Sequence, residues 1–455
     1  MEIMNIIDSF RNSYQIQSKI GQGSQGITYL LNGGKYIVKL FNNGSNPTEL
    51  KSKVNFLRHL DLDKDSFAMP LEEVTQPQIG YISEFASDME PLTNLKWSNQ
   101  SDDLQKWFIE TGGLLKRLQV LTKLAERIRT LHSKGLIYCD LSPNNVFVSI
   151  DAKKNHVFLI DMDNLRYKTS IIHNVYTPFY AAPELVTSIA ANSMESDCFS
   201  FAVIAYELLT FNHPLIGDYV TDGEPELEEK ALSGLIPWVD HSIDKLNSRS
   251  SGIPSEFFIT NSLKDLFKRT FEDGLTVPMK RPTISEWCSG FYKALNEIIK
   301  CPVCEVHYPL SITGKCPFCS NSSNSVIKIQ MKRWELITEY DSHTNTLIES
   351  YGLAPMIFEE IFIDKETTKY IKNSHFLLPG NPNSPVMQIK VLESDGNEKL
   401  IELIPKDITY YVAIDGEEVF YTDKPKRIRV TGRKHRELII GVNKLDTPQR
   451  VLTIE

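Results

Sequence analysis

Three polar residues in the middle of the chain have the types and the spacing that phosphate chemistry requires. Asp140 and Asn145 lie five residues apart, and Asp161 ends an apolar run that reads as a strand. A carboxylate can accept the proton of a hydroxyl group, while an amide and a second carboxylate supply the oxygen ligands that Mg²⁺ prefers. The set therefore predicts transfer of a phosphoryl group from ATP.

A glycine-rich stretch precedes this set. Residues 21–26 place Gly21, Gly23 and Gly26 at the spacing of a phosphate-binding loop. The pattern alone is weak, because β-hairpins commonly carry glycine in their turns. Here it joins two predicted strands, 14–20 and 27–31, instead of opening a helix, which favours a flap over phosphates and not a Rossmann turn.

Residues 138–145 and 159–163 resemble the catalytic loop and the metal-binding turn of eukaryotic-type protein kinases. Residues 177–184 resemble the end of the activation segment in that family, and Asp197 matches the acid that begins its long helix. The resemblance covers about residues 14–300. It further implies that Arg281 pairs with Glu184, a structural feature that small-molecule kinases of related shape lack.

The resemblance assigns a role to each residue of the set. It implies that Asp140 is the catalytic base, that Asn145 and Asp161 hold Mg²⁺, and that Lys39 grips the α- and β-phosphates of ATP. A helix glutamate pairs with this lysine in the family, and Glu49 is the best candidate by position. The predicted ATP-binding residues, with Ser83 at the back of the slot, are Gly21, Gly23, Gly26, Lys39, Glu49 and the hinge residues Glu84 to Ala86.

Two departures from the family pattern concern the catalytic loop. Tyr138 and Cys139 stand where histidine and arginine are usual, and a thiol cannot form the charge-assisted pair with an activation-segment phosphate. We therefore predict that activity does not depend on phosphorylation of this segment. Loss of activity on alanine replacement of Thr169, Ser170 and Thr177, with rescue by acidic residues, would contradict the prediction.

Other departures leave an alternative open. Ser142 stands in place of a phosphate-steadying lysine, and Asp163 replaces the glycine of the metal-binding turn. Together with Tyr138 and Cys139, these two changes leave open the alternative of a catalytically weak pseudokinase scaffold that binds nucleotide and partner proteins. Ile37 replaces an alanine above the adenine, which predicts a narrower nucleotide slot. Retention of the four residues Lys39, Asp140, Asn145 and Asp161 favours an active Ser/Thr protein kinase, and the flap with the Glu184–Arg281 pair argues against a small-molecule phosphotransferase.

Four of the seven cysteines form two C-x-x-C pairs. Cys301 with Cys304 and Cys316 with Cys319 make two tight knuckles that together offer four sulfur ligands. Four thiolates suit a closed, tetrahedral structural zinc site, and a four-sulfur iron site is the metal alternative. The segment resembles a zinc ribbon, and the whole architecture resembles bacterial kinases with a cysteine-ribbon tail that act in signalling or stress response.

Composition sets the remaining expectations. A chain of 455 residues predicts two or three domains, and its net charge of −9 argues against a broad nucleic-acid-binding surface. We predict an α+β protein with a bilobal protein-kinase fold, followed by a zinc ribbon and a small all-β domain. The boundaries are 1–300 (lobes about 1–86 and 87–300), 301–324 and 325–455. No apolar segment reads as a signal or membrane span, so we expect a cytoplasmic protein that acts on protein substrates.

The last predicted domain carries no catalytic motif. Residues 424–430 and 433–436 concentrate lysine and arginine within an acidic protein. A solvated strand face is the preferred interpretation, and a surface for an acidic or phosphorylated partner is the alternative.

Overall fold

The computed structural model describes most of the chain. The described residues are 5–23, 25–42, 46–96, 103–168, 174–250, 253–310, 314–322, 326–341, 344–364, 368–395, 398–414, 417–431, 438–443 and 446–454. The chain divides into two compact units, Met1–Ser255 with Leu263–Phe291 and Glu256–Ser262 with Tyr292–Glu455. No helix within the described residues is both long and apolar enough to cross a membrane.

The first unit begins with a closed β-barrel in the strand order β1-β2-β3-β4-β6-β5. Alternating apolar residues from its strands, including Val38 and Leu40, fill the interior. The predicted strands 14–20 and 27–31 are confirmed as the second and third strands of the barrel. A hairpin through Asn32-Gly33-Gly34 joins the third strand to the fourth, and both glycines of this turn have positive φ angles. The barrel strands are β1 (Asn5–Asp8), β2 (Ser13–Gln22), β3 (Gly26–Leu31), β4 (Tyr36–Phe41), β5 (Glu72–Gln76) and β6 (Gly80–Glu84).

Helices make up most of the rest of the first unit. They are α1 (Pro47–Arg58), α2 (Leu104–Glu110), α3 (Gly113–Ser133), α4 (Pro183–Val186), α5 (Met194–Thr210), α6 (Asp218–Thr221), α7 (Glu226–Leu232), α8 (Asn261–Lys268), α9 (Gly274–Thr276) and α10 (Ile284–Glu297), the last of which continues into the second unit. Short strands lie between them: β7 (Met89–Pro91), β8 (Leu136–Ile137), β9 (Val146–Ser149), β10 (Val157–Leu159) and β11 (Arg166–Tyr167).

Helix α5 forms the centre of the helical part. Its sequence is apolar on nearly all sides, and residues from Ser196 to Thr210 are buried, as expected for a helix surrounded by others. The side chain of Ser193 caps its N-terminus. The Phe201 ring packs against Trp287 at a centroid distance of 5.6 Å. This core supports the start of α5, where Asp197 lies.

The second unit is built mainly from β-strands. They are β12 (Ile298–Lys300), β13 (His307–Pro309), β14 (Ile327–Asp341), β15 (Thr346–Leu353), β16 (Glu359–Ile363), β17 (Thr368–Lys372), β18 (Pro385–Asp395), β19 (Glu398–Pro405), β20 (Tyr410–Ile414), β21 (Glu417–Thr422), β22 (Lys426–Thr431), β23 (Leu438–Gly441) and β24 (Gln449–Ile454), with one short helix, α11 (Asn373–Phe376).

Two sheets of the second unit share one apolar core. Within the described residues, one sheet has the order β15-β14-β24-β23-β20-β21 with β16 also paired to β14, and the other has the order β17-β18-β19-β22. Ile329 and Ile440 from the first sheet and Ile389 and Ile401 from the second are buried in this core.

The basic segment of the second unit forms an edge strand. In β22, Ile428 is buried while Lys426, Arg427 and Arg429 are exposed, and Arg427 donates a hydrogen bond to Glu402 (3.0 Å). Positive charge on an edge strand discourages unwanted pairing with other strands. The second basic run, 433–436, lies outside the described residues.

The predicted ion pair between Arg281 and Glu184 is confirmed. The two guanidinium Nη atoms each lie 2.7 Å from a different Glu184 oxygen, and the Arg281 side chain is 1% exposed. The pair ties the segment that starts α4 to the segment that precedes α10. Because both groups are almost free of water, removal of one leaves the other charge uncompensated.

Replacement Arg281→Met is expected to lower the free energy of unfolding by about 3 kcal/mol, because it leaves the mostly buried Glu184 carboxylate without its positive partner. Urea titration of the full chain, followed by the helical circular-dichroism signal, measures the loss. The matched control is Arg269→Met, whose partner Glu286 is 43% exposed and whose pair is worth about 0.5 kcal/mol. Equal losses in the two variants would contradict the prediction.

Candidate functional site

A cleft of about 690 Å³ lies in the first unit, with barrel strands along one wall and the loops after β8 and β10 along the other. It has the size of a small-molecule site. The cleft brings together residues that the sequence analysis selected from distant positions. Its lining includes Gly21, Gly23, Gly26, Ile37, Lys39, Ser83, Glu84, Ala86, Asp140, Ser142, Asn145, Asp161 and Thr177.

The loop that carries Asp140 is held by one buried carboxylate. Asp197, which is 1% exposed, accepts hydrogen bonds from the backbone N–H groups of Tyr138 (2.8 Å) and Cys139 (3.0 Å). The His132 ring lies 3.0 Å from the same carboxylate. Cys139 has a φ of 74°, a left-handed conformation that non-glycine residues adopt only where contacts support it. This bend directs Asp140 toward the cleft.

Asp140 has two polar neighbours. The Asn145 amide donates to the backbone oxygen of Asp140 (2.8 Å) and lies 3.4 Å from its carboxylate. The Thr177 hydroxyl donates to Asp140 Oδ1 (2.7 Å). Sequence reasoning considered Thr177 only as a phosphorylation site. Its contact with Asp140 shows that alanine replacement at Thr177 removes a hydrogen bond of the site, so it is not a clean test of phosphorylation. Thr169 and Ser170 lie outside the described residues.

Lys39 lies between two carboxylates. It forms ion pairs with Asp161 and with Asp163. Burial lowers the pKa of Lys39, but the two carboxylates outweigh burial and raise this pKa above its ordinary value, so the ammonium stays charged. Burial raises the pKa of Asp161, Lys39 opposes the rise, and the Asp163 carboxylate adds to it. The three groups form one coupled ionic cluster.

The predicted pair between Lys39 and Glu49 is not formed, and this assignment is corrected. Glu49 lies in the first turn of α1 and is exposed, a position in which a carboxylate favours the helix N-terminus. No ion pair among the described residues joins it to Lys39. One turn later, Lys53 is half-buried, and burial lowers the pKa of this lysine. Sequence reasoning missed Lys53, although helical spacing with Leu50, Val54 and Leu57 would have placed it on the inner face.

The three glycines of the flap differ in how much space a side chain would find at each position. A side chain at Gly26 would meet the backbone oxygen of Leu40 at 2.2 Å, so strand packing alone requires glycine there. Gly23 has no atom within 4 Å of such a position, and Gly21 meets only an ordinary contact. Open space at these two positions leaves their backbone groups accessible to a ligand in the cleft. The Gln25 side chain reaches Asn164 across the cleft (2.8 Å).

Tyr138 and Cys139, which stand where histidine and arginine are usual, contact neighbouring segments through a hydroxyl and a thiol. The Tyr138 hydroxyl donates to the backbone oxygen of Ile160, next to Asp161. Arg166 Nε lies 3.0 Å from the Cys139 sulfur and its Nη2 donates to Asn192 (3.1 Å). Burial raises the pKa of Cys139 to about 12, so the thiol is uncharged near neutral pH.

The chain that follows Thr177 is anchored to α5. The Tyr180 hydroxyl donates to Glu207 (2.8 Å), and the Lys96 ammonium donates to the same carboxylate (2.9 Å). Ser200 donates to the backbone oxygen of Tyr180 (2.7 Å). These contacts hold the wall of the cleft that faces Asp140.

The four paired cysteines of the second unit lie together. Their sulfur atoms are within 4.8 Å of one another, with Cys301 and Cys319 at 3.5 Å and Cys304 and Cys316 at 3.4 Å. None of the four forms a disulfide. Burial alone would raise the pKa of Cys301, but the N–H groups of Cys304 and Val303 outweigh it and lower this pKa to about 7.

A comparison with protein-family models identifies the first unit. Residues 14–292 match the model of the protein kinase domain. The chain belongs to the protein kinase family. The match covers more than half of the chain and includes every residue that lines the cleft.

Individual relatives of this kinase are distant. Serine/threonine-protein kinase kin-29 of Caenorhabditis briggsae is 29% identical over 160 residues, which cover 34% of this chain and 17% of that protein. Serine/threonine-protein kinase PknD of Chlamydia caviae is 25% identical over 238 residues, covering 44% and 24%. Serine/threonine-protein kinase pkn2 of Myxococcus xanthus is 34% identical over 110 residues, covering 22% and 13%. The chain therefore spans about a quarter or less of the length of these relatives.

Proposed function

We propose that the first unit transfers the γ-phosphoryl group of ATP to serine or threonine hydroxyls of protein substrates. The observation that carries this proposal is the convergence of Lys39, Asp140, Asn145 and Asp161 on one cleft beneath a glycine flap. The four residues are far apart in sequence, and phosphoryl transfer is the chemistry that uses all of them.

Each residue has a defined task in this proposal. Asp140 orients the acceptor hydroxyl and takes its proton, and Lys39 holds the phosphates from the barrel side. The Asn145 Nδ2 donates to Asp140, so its Oδ1 is the atom left to bind a metal, together with the Asp161 carboxylate. Both are hard oxygen donors that fit Mg²⁺. Bound there, Mg²⁺ would supply positive charge that neutralises the phosphate groups.

One observation supports serine or threonine as the acceptor. The relatives that match this chain are named serine/threonine-protein kinases.

The deciding experiment compares phosphoryl transfer by the full chain and by Asp140→Asn, with radiolabelled ATP, Mg²⁺ and a protein substrate. Asparagine keeps the shape of the side chain but cannot accept the proton, so the rate should fall by about 100-fold or more. Equal incorporation of label by both proteins would rule out the catalytic assignment. Binding of ATP without transfer by the wild type would support the pseudokinase scaffold.

Thr177→Val is expected to lower kcat by about tenfold, because it removes a hydrogen bond to the Asp140 carboxylate. Thr177→Ser keeps the hydroxyl and should stay within about threefold of the wild type. Steady-state kinetics with varied protein substrate measure both. If valine and serine had equal effects, the hydroxyl would have no part in positioning Asp140.

For the second unit we propose a structural zinc ion at the four cysteines. Four thiolates around a tetrahedral zinc ion with Zn–S bonds of ~2.3 Å lie ~3.8 Å apart. The sulfur separations of 3.4–3.5 Å in the two closest pairs are near this value. A site with four protein sulfurs has no open position, so the ion would stabilise the fold and take no part in catalysis.

The exposed basic face of β22 is our candidate surface for an acidic or phosphorylated partner.

The purified chain is expected to contain about one zinc ion, and Cys304→Ser should lose it because a hydroxyl is a poor ligand for zinc at neutral pH. Elemental analysis by mass spectrometry measures the content. Cys288→Ala, which removes a buried cysteine outside the cluster, is the control and should keep the metal. Iron in place of zinc, or full metal content in Cys304→Ser, would contradict the prediction.

A further inference from the structure

Helix α1 presents a lysine to the interior of the first unit. Val54 and Leu57 are buried, and Leu50 and Lys53 are half-buried beside them. The spacing of these four positions defines one face of a helix. Glu49, in the first turn, is exposed. The charge on the inner face of α1 is therefore positive.

The complementary carboxylate comes from another element. Asp163 lies in the 3-10 turn Met162–Asn164, and helix α1 packs against this turn. It is 2% exposed, both of its carboxylate oxygens are buried, and it forms an ion pair with Lys39. The charged neighbours of Lys53 are Asp163, Lys39, Asp161 and, on its own helix, the exposed Glu49. Asp163 thus shares its surroundings with two ammonium groups.

The charges of Asp163 and Lys53 balance each other. A buried carboxylate at position 163 without a nearby cation would be costly, and a second lysine beside Lys39 without an added anion would repel it. With both present, Lys39 and Lys53 balance Asp161 and Asp163.

We propose that Asp163 is the positioning carboxylate for Lys39, in place of Glu49, and that Lys53, half-buried on the face of α1 that packs against the same turn, supplies the second positive charge that balances Asp163. This proposal rests on the proposed function, because Lys39 is the residue that holds the phosphates. It makes Asp163 a positioning residue that acts through Lys39. It also places the anchor of Lys39 on the same turn as Asp161, so that the lysine and the metal-binding residue are positioned by one element.

A charge-exchange experiment tests the proposal. The variants are Asp163→Asn, Lys53→Glu, the double variant Asp163→Asn with Lys53→Glu, and Glu49→Gln. Lys51→Glu is the matched control, because Lys51 lies on the same helix with its side chain 51% exposed. The dissociation constant of a fluorescent ATP analogue with Mg²⁺ is measured for each, together with kcat and the midpoint of thermal unfolding.

Each single variant at 163 or 53 should weaken binding of the ATP analogue by about tenfold or more, because it leaves a buried charge uncompensated. The double variant should recover to within about threefold of the wild type, since a helix glutamate then pairs with Lys39. Glu49→Gln and Lys51→Glu should each change binding by less than about threefold. Additive losses in the double variant, or a loss in Glu49→Gln equal to that in Asp163→Asn, would overturn the proposal.

The proposal for Asp163 and the proposed function can fail independently of each other. A failure of Asp140→Asn to reduce phosphoryl transfer would refute the function while the binding data still decide the role of Asp163. If the chain bound no ATP analogue, the unfolding midpoints of the ligand-free variants would decide it. The double variant must then be more stable than either single variant, and equal or lower stability would count against the proposal.

Discussion

The site depends on the hydrogen bonds that the buried Asp197 carboxylate accepts from the loop before Asp140. Two backbone N–H groups of that loop donate to it, and one of them belongs to Cys139, which has a left-handed conformation. Such a conformation costs about 1–2 kcal/mol in a non-glycine residue, and hydrogen bonds to a carboxylate, at about 1.5–3 kcal/mol each, offset it. Because Asp197 lies in the first turn of α5, the apolar core around that helix determines where the loop before Asp140 bends.

Two residues that depart from the family pattern form contacts between segments of the cleft. The Tyr138 hydroxyl donates to the backbone oxygen of Ile160, and so links the segment of Asp140 to that of Asp161. Asp163 places a buried negative charge on the turn after Asp161, where Lys39 forms an ion pair with it. Both contacts therefore hold together segments that carry residues of the cleft.

The sequence predicted what local patterns determine. Glycine spacing and strand patterns placed the flap between β2 and β3, and the motif residues were found in one cleft. Partners set by the packing of distant elements were not predictable in the same way. The spacing from Lys39 favoured Glu49, but the start of α1 leaves that residue in solvent and turns Lys53 inward. In the second unit, strand pairing joins positions far apart in sequence, such as Ile329 of β14 with Ile454 of β24.

The wall of the cleft next to Asp140 is stabilised without a phosphate group. Thr177 binds the carboxylate of Asp140, and Tyr180 with Lys96 binds the carboxylate of Glu207 on α5. The segment then ends at the buried pair of Glu184 with Arg281. An arginine at position 139 would serve to recruit a phosphate to such a wall, but here the neutral Cys139 thiol lies beside Arg166. Thr177, Tyr180 and Glu184 are thus each held by a side-chain contact, which favours the prediction that activity does not depend on phosphorylation of this segment.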